Sequence, residues 1–161
     1  MTWFTACITR VTIVESAGVQ GLADTVILVS ANDREGAWHR ALDAAGVALA
    51  DLSFAEVHDC FTIAELIEYE AMGLVGEGQG ARAIMDGTVA KDGALPINPS
   101  GGLKAKGHPI GATGVSMHAI TAMQLAGKAG DMQVKDARLG GIFNMGGAAV
   151  ANYVSILERL R

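Results

Sequence analysis

A chain of 161 residues, 50% of them hydrophobic, is long enough for one domain with a real core. Its formal net charge of −5 and pI near 5.3 argue against nucleic acid or an anionic membrane surface as the main partner. Two cysteines, Cys7 and Cys60, give no disulfide framework and suit a reducing cytoplasm. No apolar run approaches the roughly 20 residues of a membrane span, and the amino terminus lacks a basic-then-apolar signal pattern.

Residues 1–9 carry no capping or periodic signal and read as a ragged start to a domain spanning 10–161. Residues 10–16 are β-branched and suit a strand, as does the apolar run 25–29. Asn32 or Asp33 could cap a helix ending near Ala45, with Ala37, Arg40, Ala41 and Ala44 on one face and Gly46 as its stop. A turn at 51–53 leads into a short strand at 54–57. Thr62 with Glu65 three residues on forms the pattern of a capping box. The helix it opens places Ala64, Ile67, Ala71 and Leu74 at helical spacing and Glu65, Glu68 and Glu70 on the surface. Four glycines (Gly73, Gly76, Gly78 and Gly80) break that helix, and 81–86 reads as a short second one. The run from Gly76 to Gly80 lacks the spacing and the preceding strand of a dinucleotide fingerprint.

Residues 98–114 concentrate five glycines and two of the three prolines around His108, which lies between Gly107 and Pro109. Glycine permits positive φ and close backbone approach, while proline fixes φ, so the histidine sits on a shaped backbone leading into a helix. That helix, 112–126, is apolar nearly all round and is expected to be buried on most sides. Two strands, 139–143 and 148–157, joined by a turn at 144–147, complete an α/β fold: a mixed sheet flanked by helices, with a carboxyl-terminal β-hairpin. A mean hydropathy of +0.32 with 18% charged residues leaves surplus apolar surface, which is expected to face another domain or subunit.

Three separated pieces carry candidate chemistry: His58-Asp59-Cys60, Gly107-His108-Pro109 and Asn144-Met145-Gly146-Gly147. Imidazole titrates near neutral pH and can activate a thiol or shuttle a proton, and backbone N–H groups of a Gly-Gly turn can stabilise an oxyanion. Each piece alone is also compatible with a bland role: a turn with a surface histidine, or an inert core cysteine. His39 and His118 fall on helices and read as structural or solvated. Zinc at His58, Cys60 and His108 has no supporting ligand spacing, so no metal is assigned.

Together, His58-Asp59-Cys60-Phe61, the run Gly107-His108-Pro109-Ile110-Gly111-Ala112-Thr113-Gly114 and the 144–147 turn resemble the carboxyl-terminal half of a thiolase, in its sterol-carrier-protein-type branch, from about residue 10 onward. The resemblance implies a thiolase-like half-fold and roles by position. His108 would activate a nucleophilic cysteine and help bind the thioester oxygen. His58 would stand where most thiolases carry an oxyanion-hole asparagine, and the Gly146 N–H would serve a second hole. Asn144 replaces the usual acid/base cysteine, and Cys60 would take over that proton transfer. Gly107 and Gly111 would belong to the loop that meets CoA or the acyl group. Coenzyme A thioesters are implied as substrates, with no covalently bound cofactor.

The family's nucleophile lies in an amino-terminal half, and Cys7, placed ahead of the first strand, lacks the expected surroundings of that nucleophile. The chain alone is therefore expected not to turn over and to work with a nucleophile-bearing half or partner chain as a homo- or hetero-oligomer. The alternatives are a non-catalytic complementing subunit, a truncated product, or part of a thiolase-fold lyase acting on sterol side-chain CoA thioesters.

Overall fold

The computed structural model describes residues 5–9, 26–31, 34–147 and 151–159. Among them, β1 (Thr5–Thr9), β2 (Val26–Ala31), β3 (Phe54–Val57), β4 (Leu139–Gly146) and β5 (Ala151–Glu158) form one sheet in the order β1-β2-β5-β4-β3. Only β3 and β4 run parallel; the other pairs are antiparallel, and β4–β5 is the expected terminal hairpin. The free edge of β3 is covered rather than exposed. Ala55 N–H donates to the Pro96 carbonyl (2.9 Å) and Asn98 N–H to the Ala55 carbonyl (2.8 Å), so 96–98 runs alongside as a bridge.

Among the described residues, five α-helices connect or cover the strands: α1 (Arg34–Ala45), α2 (Thr62–Ala71), α3 (Gly80–Met85), α4 (Gly102–Lys106) and α5 (Thr113–Leu125). They make two cores, one on each face of the sheet. Trp38, Ala41 and Leu42 of α1 and Tyr69 and Met72 from α2 and its end pack with Val57, Phe143, Val154 and Ile156. Met117 and Leu125 of α5 pack with Phe54, Ile142 and Leu157 on the other face. The alternation of Ile142 and Phe143 between the two cores is the period-2 side-chain pattern of a strand buried on both sides.

Several expectations shift by small amounts with large effects. Residues 5–9, read as ragged, form β1, where Cys7 pairs with Leu28 within the first strand rather than ahead of it. Residues 10–16, the proposed first strand, and the Asn32/Asp33 cap lie outside the described residues. The buried stripe of α1 is Ala37, Trp38, Ala41 and Leu42, not a face containing Ala44, because the large Trp38 indole stacks on Phe143 at 5.6 Å. The capping box of α2 does not form: Thr62 is already inside the helix after Phe61, and Glu65 instead accepts from Asn98 Nδ2 at 3.0 Å. Glu68 is fully buried instead of lying on the surface, since Met72, one turn on, turns that face into the core. Helix α5 buries one stripe (Thr113, Met117, Thr121, Gln124 and Leu125) and leaves Val115 and Met123 exposed, so it is not enclosed all round. The 144–147 turn is mostly strand, because β4 stays paired with β5 through Gly146↔Ala151.

Gly140 and Gly141 allow the three layers to close up. A Cβ at Gly140 would lie 2.7 Å from Phe54 Cζ and Thr121 Cγ2, and one at Gly141 would lie 2.8 Å from the Trp38 indole on the opposite face. Alanine at either position should overpack the sheet and destabilise the fold by about 1–3 kcal/mol, lowering Tm by about 2–4 °C per kcal/mol. Gly76→Ala, where the nearest atom is 4.0 Å away, should leave Tm nearly unchanged in the same thermal melts.

Candidate active site

Strands β3 and β4 are parallel, with Val57 opposite Phe143, so their carboxyl ends finish at the same edge of the sheet. The next residues along each strand, His58 and Asn144, are thereby brought together, and His58 Nδ1–H donates to Asn144 Oδ1 at 2.7 Å. In open α/β sheets this edge is where ligands bind. Room for the Asn144 amide comes from Gly114, since a Cβ there would lie 3.0 Å from Asn144 Nδ2. The chain turns sharply after His58 and delivers Cys60, a partly buried free thiol, before α2 begins.

The glycine-rich segment is anchored to the same edge by carboxylates. Asp59, buried, accepts the Leu103 N–H at 2.7 Å through Oδ1, while its carbonyl accepts from Lys104 Nζ at 3.0 Å. Gly102 has φ +65°, and a Cβ there would run into the Asp59 carboxylate, so this close approach requires glycine. Glu56 of β3, fully buried, accepts from Ser100 Oγ and Lys106 Nζ, each at 2.7 Å. These anchors fold residues 102–106 into α4, a short helix inside what reads in sequence as a loop. Gly107, at φ +82°, ends α4, and the backbone then carries His108 back towards His58.

The two imidazoles meet edge to face, with ring centroids 4.8 Å apart and planes at 84°. Nδ1 of His108 lies 2.6 Å from the hydroxyl of Thr113, the first residue of α5, and that hydroxyl donates to the Pro109 carbonyl at 3.3 Å. Burial pushes His58 below the usual imidazole value and the neighbouring His108 pushes the same way, while the Asn144 hydrogen bond and Asp59 oppose them. His58 is therefore neutral near pH 7, and with Nδ1 protonated its Nε2 carries a lone pair.

A groove of about 1030 Å³ joins all three sequence-predicted pieces: His58 and Cys60, His108 with Gly111, and Asn144 with Gly146. Its remaining walls are mainly apolar, from Ile63, Ile67, Ile110 and Val115. Gly107 is not among the lining residues; it shapes the loop from behind. His118, read from sequence as structural or solvated, also faces the groove. Both of its ring nitrogens are engaged, Nδ1–H donating to the Gly114 carbonyl (2.7 Å) and Nε2 meeting Ser155 Oγ (2.9 Å). Thr113 is the contact that sequence reading missed. Its only signal there is a hydroxyl five residues after the histidine, at the start of a helix. Among the described residues no group of three His, Cys, Asp or Glu side chains could hold a metal ion, and no helix is long and apolar enough to cross a membrane.

Comparison with known proteins identifies the class. The family described as thiolase C-terminal domain-like matches residues 16–159, and the chain belongs to that family. An acetyl-CoA acetyltransferase of Methanothermobacter thermautotrophicus is 47% identical over 109 residues, 68% of this chain and 28% of that protein. Human sterol carrier protein 2 is 47% identical over 106 residues, 65% of this chain and 19% of that protein. The benzoylsuccinyl-CoA thiolase subunit BbsB of Thauera aromatica is 36% identical over 97 residues, 60% of this chain and 25% of that protein. The matches thus span less than a third of these relatives. A chain of the Ltp2-ChsH2(DUF35) aldolase superposes with a TM-score of 0.68 over 78% of this chain and 31% of its own length, at 22% identity, which supports the fold.

One group beneath the site has a consequence for pH. Glu68 lies behind His58 with neither carboxylate oxygen in a hydrogen bond of normal geometry; burial raises its pKa well above the usual range, and only the His58 backbone amide works against that. A carboxyl held protonated in the folded state stabilises fully below the unfolded pKa, about 4.3, and that contribution is lost as pH rises towards the folded value. Glu68→Gln removes the ionisation, so the Tm of the variant minus that of the native chain should grow between about pH 5 and pH 8. A difference that stays flat across this range would contradict a protonated Glu68.

Proposed function

We propose that this chain forms the acid/base side of a thiolase-type active site, acting on acyl-CoA thioesters by Claisen condensation or thiolytic cleavage. The observation that carries this reading is the convergence of His58, Cys60 and His108 on one apolar-walled groove, with the imidazoles 4.8 Å apart. A nucleophilic cysteine from another segment or chain gives its proton to His108 and attacks the acyl carbonyl, forming the acyl-enzyme. The C–S bond to CoA breaks and the CoA thiolate leaves or, in cleavage, the bond to the α-carbon breaks and the enolate of the shortened acyl-CoA leaves. The imidazolium so formed then has an N–H to offer the thioester oxygen, and the Gly146 N–H would serve a second developing oxyanion.

Proton transfer at the substrate α-carbon, or at the CoA sulfur in the reverse direction, falls to Cys60, because Asn144 has no proton to exchange near neutral pH. Asn144 instead holds His58, whose Nε2 lone pair accepts a proton or a water hydrogen in the groove. The exposed apolar face of α5 and its approach (Ile110, Val115, Met123) is the surface on which the nucleophile-bearing half would pack.

Assayed with acetoacetyl-CoA and CoA, the 161-residue chain alone should show no turnover, and mixing with an amino-terminal thiolase half from a relative should restore it. His108→Ala in the mixture should lower kcat by roughly 10²–10⁴-fold, the usual loss for a positioned acid/base. Robust turnover by the chain alone, abolished by Cys7→Ser, would overturn the reading.

A further inference from the structure

The ring of His108 is mounted between two glycine-flanked bends, Gly107 at φ +82° and Gly111 at φ +78°, and is exposed on its loop. Its partners are the edge contact with His58 and one hydrogen bond, from Nδ1 to Thr113 Oγ1 at 2.6 Å. Thr113 is nearly fully buried, at 4% exposure, and sits at the first position of α5. A threonine in a helix divides between two rotamers because one of them lets Oγ1 bond the carbonyl four residues back. Here that carbonyl belongs to Pro109, at 3.3 Å. The single hydroxyl proton can serve only one of these two neighbours; given to the Pro109 carbonyl, which can only accept, it leaves Oγ1 to present a lone pair to His108.

We propose that Thr113 is a positioning residue that fixes His108 in its Nδ1–H tautomer. The chain of donors runs His108 Nδ1–H to Thr113 Oγ1, and Thr113 O–H to the Pro109 carbonyl. Whenever the ring is neutral, the lone pair is left on Nε2 of a ring that lines the groove. Free histidine side chains favour the opposite tautomer, with Nε2 protonated, which could not accept a proton from a thiol at that nitrogen. The hydroxyl therefore decides which nitrogen is the base. The consequence for acyl transfer rests on the function proposed above; the tautomer itself does not.

The test reads ring nitrogens directly, by long-range ¹H–¹⁵N correlation on histidine-labelled chain at a pH where the imidazoles are neutral, with His108 assigned by its loss in His108→Gln. The native chain should show a protonated Nδ1 and an unprotonated Nε2 at His108. Thr113→Val, which keeps the shape and removes the hydroxyl, should move the ring towards the Nε2–H form, and Thr113→Ser should restore the native pattern. His118, held by other partners, should keep its shifts in both variants and so report that the fold is intact. A native His108 in the Nε2–H form, or a folded Thr113→Val chain with the native tautomer, overturns the proposal. The native tautomer can be read even where the valine variant does not fold. Because the readout is a nitrogen shift rather than turnover, a failed acyl-transfer assay with the expected tautomer would count against the function alone.

Discussion

The parallel pairing of β3 with β4, with Val57 opposite Phe143, is the constraint from which the site follows. Parallel strands in register end together, so whatever follows them is forced into proximity irrespective of the 86 residues that separate His58 from Asn144. Everything between the two strands must leave the sheet at that edge and come back to the other end. Helices α2 to α5 do so while covering both faces, and the buried, glycine-bearing β4 lets α1 and α5 approach closely from opposite sides. The groove is therefore a by-product of sheet topology, and only its lining is specific.

What holds the lining in place is mainly buried charge. Leaving one partner of a buried ion pair uncompensated costs about 3–5 kcal/mol, whereas a neutral hydrogen bond contributes about 1 kcal/mol net. Glu56 has no exposure and Lys106 little, so their 2.7 Å contact, shared with Ser100, fixes the base of the glycine-rich segment far more firmly than turn geometry alone. Asp59 does the same for the start of α4. The acidic residues beneath the site are thus scaffolding: Glu56 and Asp59 hold the histidine-bearing backbone, and Glu68 fills the core behind His58 without a hydrogen bond of normal geometry.

Much of this was legible in the sequence. The strand at 54–57, the helices after Thr62 and Ala112 and the closing hairpin follow from apolar period and glycine placement, and the three motif pieces converge as their resemblance to a thiolase half implies. The misses share one cause, which is that local pattern does not reveal tertiary partners. Glu68 looks like a surface residue because Glu65 and Glu70 flank it, yet Tyr69 and Met72 rotate the helix so that it is buried. The capping box fails because Asn98, 33 residues on, takes Glu65. Residues 144–146 look like a glycine turn but remain in the ladder because β5 pairs with them. Helix α5 looks buried on all sides because a face left exposed here is as apolar as the face that packs on β4.

The central claim is that His58, Cys60 and His108 form one wall of an acyl-transfer site. It is tested most directly by a crystal structure of this chain assembled with a nucleophile-bearing thiolase half and a non-reactive acyl-CoA analogue. The account predicts the thioester lying in the groove between Cys60 and His108, with His108 Nε2 directed at the nucleophilic sulfur or the thioester oxygen and His58 still bonded to Asn144. An analogue bound away from this groove, or one seated there with His108 turned from the reacting carbon, would contradict it.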